Sequence, residues 1–599
     1  MRIGIFFGGQ PREREISFSG GKTVFENISK ALFTPVPIFV DSLGNFILIN
    51  HEHLYKGSIR EFFPPPALLD DKTFSVYIES AVHTESASIE DMISAIGISI
   101  EPKEFKNYFD LAFIAMHGPQ LEDGAIQGLL EWYGIPYTNS GLLGSAVGID
   151  KIAQNQLIEA ILKQGKKSHT LTRKYWQSTD KIALFQKLVD EIALPLVIKA
   201  PHQGSSIGVA IVRTYDFQSF VNAVNQCFFI QSISKKEWLR LDEKSKTQWL
   251  QKLTNVNEGI GMPVILSMSE SVTDEMNGHL CYHPQEVKER LDFHFRFGDE
   301  DIYFISAESE SQLLIESYID GKEFSCGVIQ DENGSPIALP PTEIILLAQT
   351  FDFNSKYQAG GSRKRLPMEA SLDELLEIQS RCREVFKNLQ FKVCTRIDGF
   401  LSKDSKVFLH DPNTIPGMSP TSLVFKQFAE IGLNPTQTIT YLIRTSLQAR
   451  IETGKNTHTL WKLLSELDKS IDALSEKRQF FKKVGIIFGG FENPQESLMK
   501  ARKEYAKVAS STDALPILIY ETGEKGNPQY YIFPFNLLFK EDIMEINQFL
   551  LADKHPLILV TMKNAQAITT RYADPIMEKA ELTTLVQVQK QTSEIVDIR

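Results

Sequence analysis

The chain has 599 residues, 42% hydrophobic and 23% charged, and acidic residues outnumber basic ones 75 to 63 for a net charge of −12. At roughly 100–200 residues per domain this predicts about three to five soluble domains, and the 10% aromatic content without a long heptad pattern excludes disordered, collagenous and coiled-coil readings. The acidic balance argues against a nucleic-acid partner, and no run of 18 apolar residues suggests a membrane span.

The opening RIGIFFGG (2–9) reads as a strand ending in a Gly-Gly turn. REISFSGGK then opens a helix and VPIFV a second strand, the start of a parallel βαβ unit. Strand LAFIAM leads to His117-Gly118, at the strand end where open α/β sheets bind ligands; a structural hydrogen-bonding histidine is the competing reading. In LPLVIKAPHQGSSIGVAIV (194–212), two apolar runs flank a Gly-Ser-Ser-x-Gly turn, which reads as a hairpin. Lys199, Ser205 and Ser206, with Gly204 and Gly208 letting the backbone approach, can form an anion nest; a plain hairpin is the alternative. Residues 225–310 read as an insertion with its own structure. It mixes a Lys/Glu-rich segment with the strand-like pieces FHFRF and DIYFIS, and is expected as a surface excursion away from the next hairpin.

That hairpin is CTRIDGFLSKDSKVFLHDPNT (394–414). A turn centred on Asp404-Ser405 would set Asp398 opposite Asp411, with Asn413 on the same face. Facing carboxylates call for a cation, and two carboxylates with an amide oxygen suit Mg²⁺. Arg396 shares that face and could neutralise an oxyanion. The polar, periodic stretch 455–482 reads as a linking helix.

The chain also repeats itself. RIGIFFGGQPREREISFSGGK (2–22) is echoed by KVGIIFGGFENPQESLMKARK (483–503) at an offset of 481, which matches Ile3 with Val484, Glu15 with Glu496 and Pro35 with Pro516. DLAFIAMHG (110–118) is matched to PLILVTMKN (556–564), which would align Arg599 with position 153. The second copy lacks a phosphate loop and a metal hairpin, and is expected to pack on the body or mediate assembly, with no catalytic role. The five cysteines are far apart with no CxxC pair, which fits a reducing, cytoplasmic compartment. The opening segment is too short for a signal peptide.

Over residues 1–450 these motifs together resemble the D-alanine–D-alanine ligase family of the ATP-grasp superfamily. The resemblance rests on FGG-x5-EIS, HGPQLEDGAIQG, IPYTNSG, IDK, KAPHQGSSIG, IESYIDGKEF, FDFNSKY, RID and DPNTIPGMSPTSL, in that order. It implies an α/β fold with a parallel-sheet pre-ATP-grasp domain (1–140), a central ATP-grasp domain (141–318, with the insertion) and a C-terminal ATP-grasp domain (319–454). The linker (455–482) and a degenerate repeat of the first domain (483–599) follow.

The implied substrates are ATP and D-alanine, with two Mg²⁺ ions (or Mn²⁺) on Asp398, Asp411 and Asn413. Lys151, Lys199, Ser205 and Ser206 would hold phosphates, Glu316 and Ile319 the adenine and Glu323 the ribose. Lys356 and Tyr357 would belong to a closing loop. Glu15 and His117 would bind the first D-alanine, and Ser422 and the Leu423 N–H the second. Arg396 and the Gly417 N–H would stabilise the tetrahedral intermediate, and Ser205, Tyr357 and Glu15 would form a triad orienting the amine. Members of this family commonly dimerise, so a homodimer is one expected assembly.

Asp411 stands where the family usually has Glu, Leu121 replaces a Gly, and 111 residues separate Ser205 from Glu316, far more than in the family. A related ligase with another amino or hydroxy acid, and a non-catalytic regulator, are the competing readings; the intact lysines, metal ligands and Arg396 argue against the latter.

Overall fold

Strand Arg2–Gly8 is buried from Ile3 to Gly8 because it runs in the middle of a sheet, parallel to Thr34–Val40 on one side and Leu111–Ile114 on the other. Two antiparallel strands complete the order Gly97–Ser99, Phe46–Ile49, Thr34–Val40, Arg2–Gly8, Leu111–Ile114. The chain leaves the central strand through Gly8 and Gly9, both at positive φ, and a Cβ on Gly8 would lie 2.5 Å from the Val40 carbonyl. Helix Arg14–Asn27 follows at once. The structure, a computed structural model, describes residues 1–599 except 71, 84–85, 270–277, 347–361, 421, 525, 575–576 and 578.

Two antiparallel sheets form the central body. One has the order Ser168–Thr172, Gln312–Ser317, Leu196–Lys199, Val209–Val212. The other has the order Ser362–Arg365, Thr342–Leu346, Gly321–Gln330, Cys394–Ser402, Val407–Asn413, with Pro336–Ala338 paired to Gly321–Gln330.

The expected hairpin register is off by one at its turn. Three residues, Lys403 to Ser405, form the loop, with Ser405 at φ +59° and the Ser402 N–H donating to the Lys406 carbonyl. Asp398 therefore pairs with His410 instead of Asp411. A bulge at Asp411 (φ +45°) then restores the count, so that Arg396 pairs with Asn413.

The insertion builds a third antiparallel sheet, His279–Cys281, Val264–Ser267, Ile302–Ser306, Ile230–Ile233. FHFRF is not a strand. It lies in helix Pro284–Phe297, which buries Val287, Leu291 and Phe295 at a spacing of four. Nor is the insertion a free excursion. Its Trp238, Leu250 and Val264 share one apolar core with Ile3, Phe39 and Phe74 of the first domain, and Tyr282 stacks on His83 at 3.6 Å.

Residues 455–482 hold helix Thr457–Arg478. It lies against helix Pro435–Ile451, where Arg444 clamps Asp468 at 3.0 and 3.1 Å. Beyond it stands a sheet of the order Glu581–Thr583, Asn527–Ile532, Ala514–Glu524, Lys482–Gly489, Glu594–Asp597. Strand directions repeat those of the first sheet, and Ile3 faces Pro35 as Val484 faces Pro516. The strand equivalent to Leu111–Ile114 is Glu594–Asp597, which aligns Arg599 with Met116, not with position 153. PLILVTMKN is instead helix Pro556–Asn564. Pro556 sits at its first position, His555 caps it, and Leu557, Ile558 and Thr561 are buried. The second copy docks through the Lys540–Glu430 pair (2.9 Å), whose side chains are 7% and 5% exposed, and through Asn434, which donates to the Tyr505 hydroxyl. Among the described residues no helix is long and apolar enough to cross a membrane.

Candidate active site

A cavity of about 630 Å³ opens between the two body sheets, the first domain and the second copy. Its lining includes Lys151, Lys199, Ser205, Ser206, Glu316, Ile319 and Glu323. Lys151 begins helix Lys151–Leu162, which Asp150 caps, and its ammonium donates to the Gln203 carbonyl at 2.7 Å. Ser205 and Ser206 take positive φ and turn the loop into a cradle. Glu316 accepts from Lys199 (2.7 Å), Lys166 (3.2 Å) and Asn155 (2.9 Å). Burial opposes its charge, but the two lysines outweigh burial and hold its carboxyl far below the usual range. Burial also opposes the Lys199 charge, and Glu316 and Asp411 reverse that, raising Lys199 above its ordinary value. Three ammonium groups around paired carboxylates make a site that a polyphosphate can enter by exchanging partners.

Asp398, Asp411 and Asn413 line the same cavity despite the altered register. Burial disfavours the Asp411 charge, but Lys151 at 3.2 Å, Lys199 and His410 hold it well below the ordinary carboxylate range. Asp398 accepts from Ser325 (2.7 Å) and from both Nε and a terminal nitrogen of Arg396 (3.1 Å each). Asn413 accepts from the Ile415 N–H at 3.2 Å. An ionised Asp411, a hydrogen-bonded Asp398 and an amide oxygen form a hard oxygen set that fits Mg²⁺. His410, stacked on Phe400 at 5.1 Å, also enters this site; its ring is pushed down by burial and by Lys166 and Lys199.

The first-domain acid is Glu13, not Glu15. Glu15 accepts from the Tyr77 hydroxyl (2.9 Å) and the Ile59 N–H (3.1 Å), away from the cavity. Glu13 lies in the cavity wall and accepts the Ser205 hydroxyl. Two residues along a helix are about 200° apart, so the two carboxylates at this helix start diverge. Gly204 permits the approach, since a Cβ there would lie 2.5 Å from Glu13 Oε2. His117 also lines the cavity, 3.5 Å from Glu122. Burial would lower its ring pKa, but Glu122 and Glu13 raise it above the ordinary value. Glu13→Gln should therefore raise the Michaelis constant for the first amino acid, about tenfold for one weakened charged contact. Glu15→Gln should leave it within about twofold, and steady-state kinetics on both variants checks the assignment.

Gly417, Ser422, Leu423 and Arg396 line the same cavity. The Ser422 hydroxyl donates to the Gly417 carbonyl, and helix Leu423–Glu430 starts there. Lys356 and Tyr357 lie outside the described residues. Glu13, Lys166, Asn155 and His410 were missed from sequence. Only Glu13 had a signal, its place directly before the helix. The second copy, expected to have no part in the site, contributes Gln495, Arg502, Phe539, Lys540 and Glu541 to the wall, while Glu496 points outward and pairs with Lys500.

Comparison with known proteins matches residues 2–140 to the family model for the D-ala D-ala ligase N-terminus and 303–444 to that for the D-ala D-ala ligase C-terminus. Similar relatives include a D-alanine–D-alanine ligase of Geobacillus thermodenitrificans, 24% identical over 77% of this chain and 99% of that one. Another, of Leptospira interrogans, is 27% identical over 75% and 98%. Solved structures include the VanG D-Ala:D-Ser ligase of Enterococcus faecalis, with a TM-score of 0.47 and 20% identity over 74% of this chain and 99% of that one. The D-alanine–D-alanine ligase of Coxiella burnetii has the same score and identity over 78% and 99%. The two family models, matched in chain order, cover segments that both line this cavity: the chain belongs to the D-alanine–D-alanine ligase family.

Proposed function

We infer that the chain is an ATP-dependent ligase joining two D-alanines into D-alanyl-D-alanine for peptidoglycan precursors, working in the cytoplasm. The observation that carries this reading is the single cavity in which buried lysines, a hard oxygen set and Arg396 meet Glu13, Ser205 and His117. Lys151, Lys166 and Lys199 bind the ATP phosphates, and Glu316, Ile319 and Glu323 the nucleoside. Asp398, Asp411 and Asn413 would hold two Mg²⁺ ions, which when bound offset the charge of the transferring phosphoryl group.

The carboxylate of the first D-alanine attacks the γ-phosphate, giving D-alanyl phosphate and ADP. The amine of the second attacks the acyl carbon, and phosphate leaves. Glu13 anchors the first ammonium group and His117 the first carboxylate. Arg396 and the Gly417 N–H face the oxyanion. The Ser205–Glu13 hydrogen bond joins the phosphate loop to the first domain and orients the attacking amine.

Phosphate release with ATP and Mg²⁺ tests the reading across D-Ala, L-Ala, and D-Ala paired with D-Ser or D-lactate. Release with D-Ala alone, accompanied by the dipeptide, is expected. Release only with another acceptor, or none with any, would refute it.

A further inference from the structure

The ligase segments do not wall the cavity alone. Arg502, Phe539 and Glu541 of the second copy line it together with Ser422, Leu423 and Lys426. Lys426 lies one turn into helix Leu423–Glu430 and pairs with the Glu541 carboxylate, their side chains 11% and 27% exposed. Arg502 is held by backbone carbonyls, those of Leu538 (2.7 Å) and Lys540. Carbonyls fix a guanidinium without neutralising it. Lys364, from the strand Ser362–Arg365, also lines the cavity; burial disfavours the Lys426 charge, Glu541 favours it, and Lys364 and Arg502 oppose it further. Lys426 and Arg502 thus share Glu541, and Glu545, which also favours the Arg502 charge, accepts from the Glu541 N–H at 2.7 Å. The Ser422 proton, which would otherwise serve a carboxylate, is already given to Gly417.

We propose that Lys426 and Arg502 receive the carboxylate of the acceptor amino acid, that Glu541 holds Lys426 in place, and that the second copy is therefore a working wall of the acceptor subsite. This rests on the ligase reading above and on the place the family resemblance implies for the second D-alanine, at Ser422 and the Leu423 N–H. Charge-assisted contacts in a half-closed site are stronger than a neutral hydroxyl contact, so the cations carry more of the binding than Ser422.

The test uses the full chain and steady-state kinetics that resolve the constants for ATP, first D-alanine and second D-alanine. Lys426→Met and Arg502→Gln should each raise the second D-alanine constant about tenfold or more. The ATP and first D-alanine constants should stay within about twofold, and Ser422→Ala should shift less. Lys426→Arg should recover most of the loss, and Glu541→Gln should fall between. An unchanged second constant in Lys426→Met and Arg502→Gln overturns the proposal. So does a parallel shift of all three constants with a lowered Tm and no recovery in Lys426→Arg, which would mark the pair as a docking contact only. A wild-type chain inactive with D-Ala refutes the ligase reading before any variant is made and takes this proposal with it.

Discussion

Asp398→Asn should lower turnover at least about a hundredfold, the scale of losing one group that stabilises transferring charge. The fold should persist, because asparagine keeps the shape that accepts from Ser325 and still meets Arg396 through its amide oxygen. Asn413→Ala should behave alike. Asp411 is different. Its φ of +45° places it at the bulge, in the region that short Asp and Asn side chains tolerate best. From sequence, Asp411→Glu would restore the family residue and be harmless. From the structure it should cost about 1–2 kcal/mol of stability through backbone strain and lower turnover as well. Asp411→Asn keeps the backbone but leaves Lys151 without its carboxylate. Phosphate release alongside thermal melting separates these cases; full turnover in Asp398→Asn would remove the metal assignment.

Arg12→Met should have the second large effect. The guanidinium is buried and donates to the Val256 carbonyl (3.2 Å), the Ile260 carbonyl (2.8 Å) and the Ser306 hydroxyl (2.9 Å), all of the insertion. It also lies 3.9 Å over the Phe229 ring. On the other side Glu310, at the insertion's exit, bonds His202 (2.9 Å) and Gln203 (3.0 Å) of the phosphate loop. The insertion thus grips both the residue before Glu13 and the loop carrying Ser205. Loss of hydrogen bonds from a charged donor predicts about 2–4 kcal/mol of destabilisation. Because Glu13 is the next residue, kcat/KM should fall about tenfold or more, following the displaced Glu13–Ser205 contact. Arg12→Lys should lie between. Melting, proteolysis of the insertion and kinetics on one preparation would read both effects. Unchanged turnover in Arg12→Met would return the insertion to a passive surface role, as its length alone suggested. Replacing the insertion by a short turn should now expose Phe74 and Val76 of the first domain, which share its apolar core.

Local chemistry was legible in the sequence wherever one segment carries it. The Gly-Gly turn, the serine-glycine loop, the carboxylate hairpin and the duplicated βαβ start all depend on neighbours within about twenty residues, and the offset of 481 matches paired residues in both sheets. Errors arose where local pattern was ambiguous. FHFRF alternates like a strand, yet its buried partners four residues back make it a helix. PLILVTMKN is as apolar as a strand, yet Pro556 and the His555 cap start a helix. A three-residue loop and a bulge shift the hairpin register in opposite senses, and neither is visible in composition. Glu13 and Glu15 are equivalent as letters; only the helix start, with Tyr77 and Ser205 on opposite sides, separates them.

The sequence by itself determined the residue types of the site, their order and the duplication, because these are properties of segments. Tertiary structure alone decided that the insertion is tied to the first domain through Arg12 and that Lys426 meets Glu541, 115 residues away. Contacts between distant segments depend on how whole domains pack, and the burial that makes a guanidinium or an ion pair matter exists only after they do.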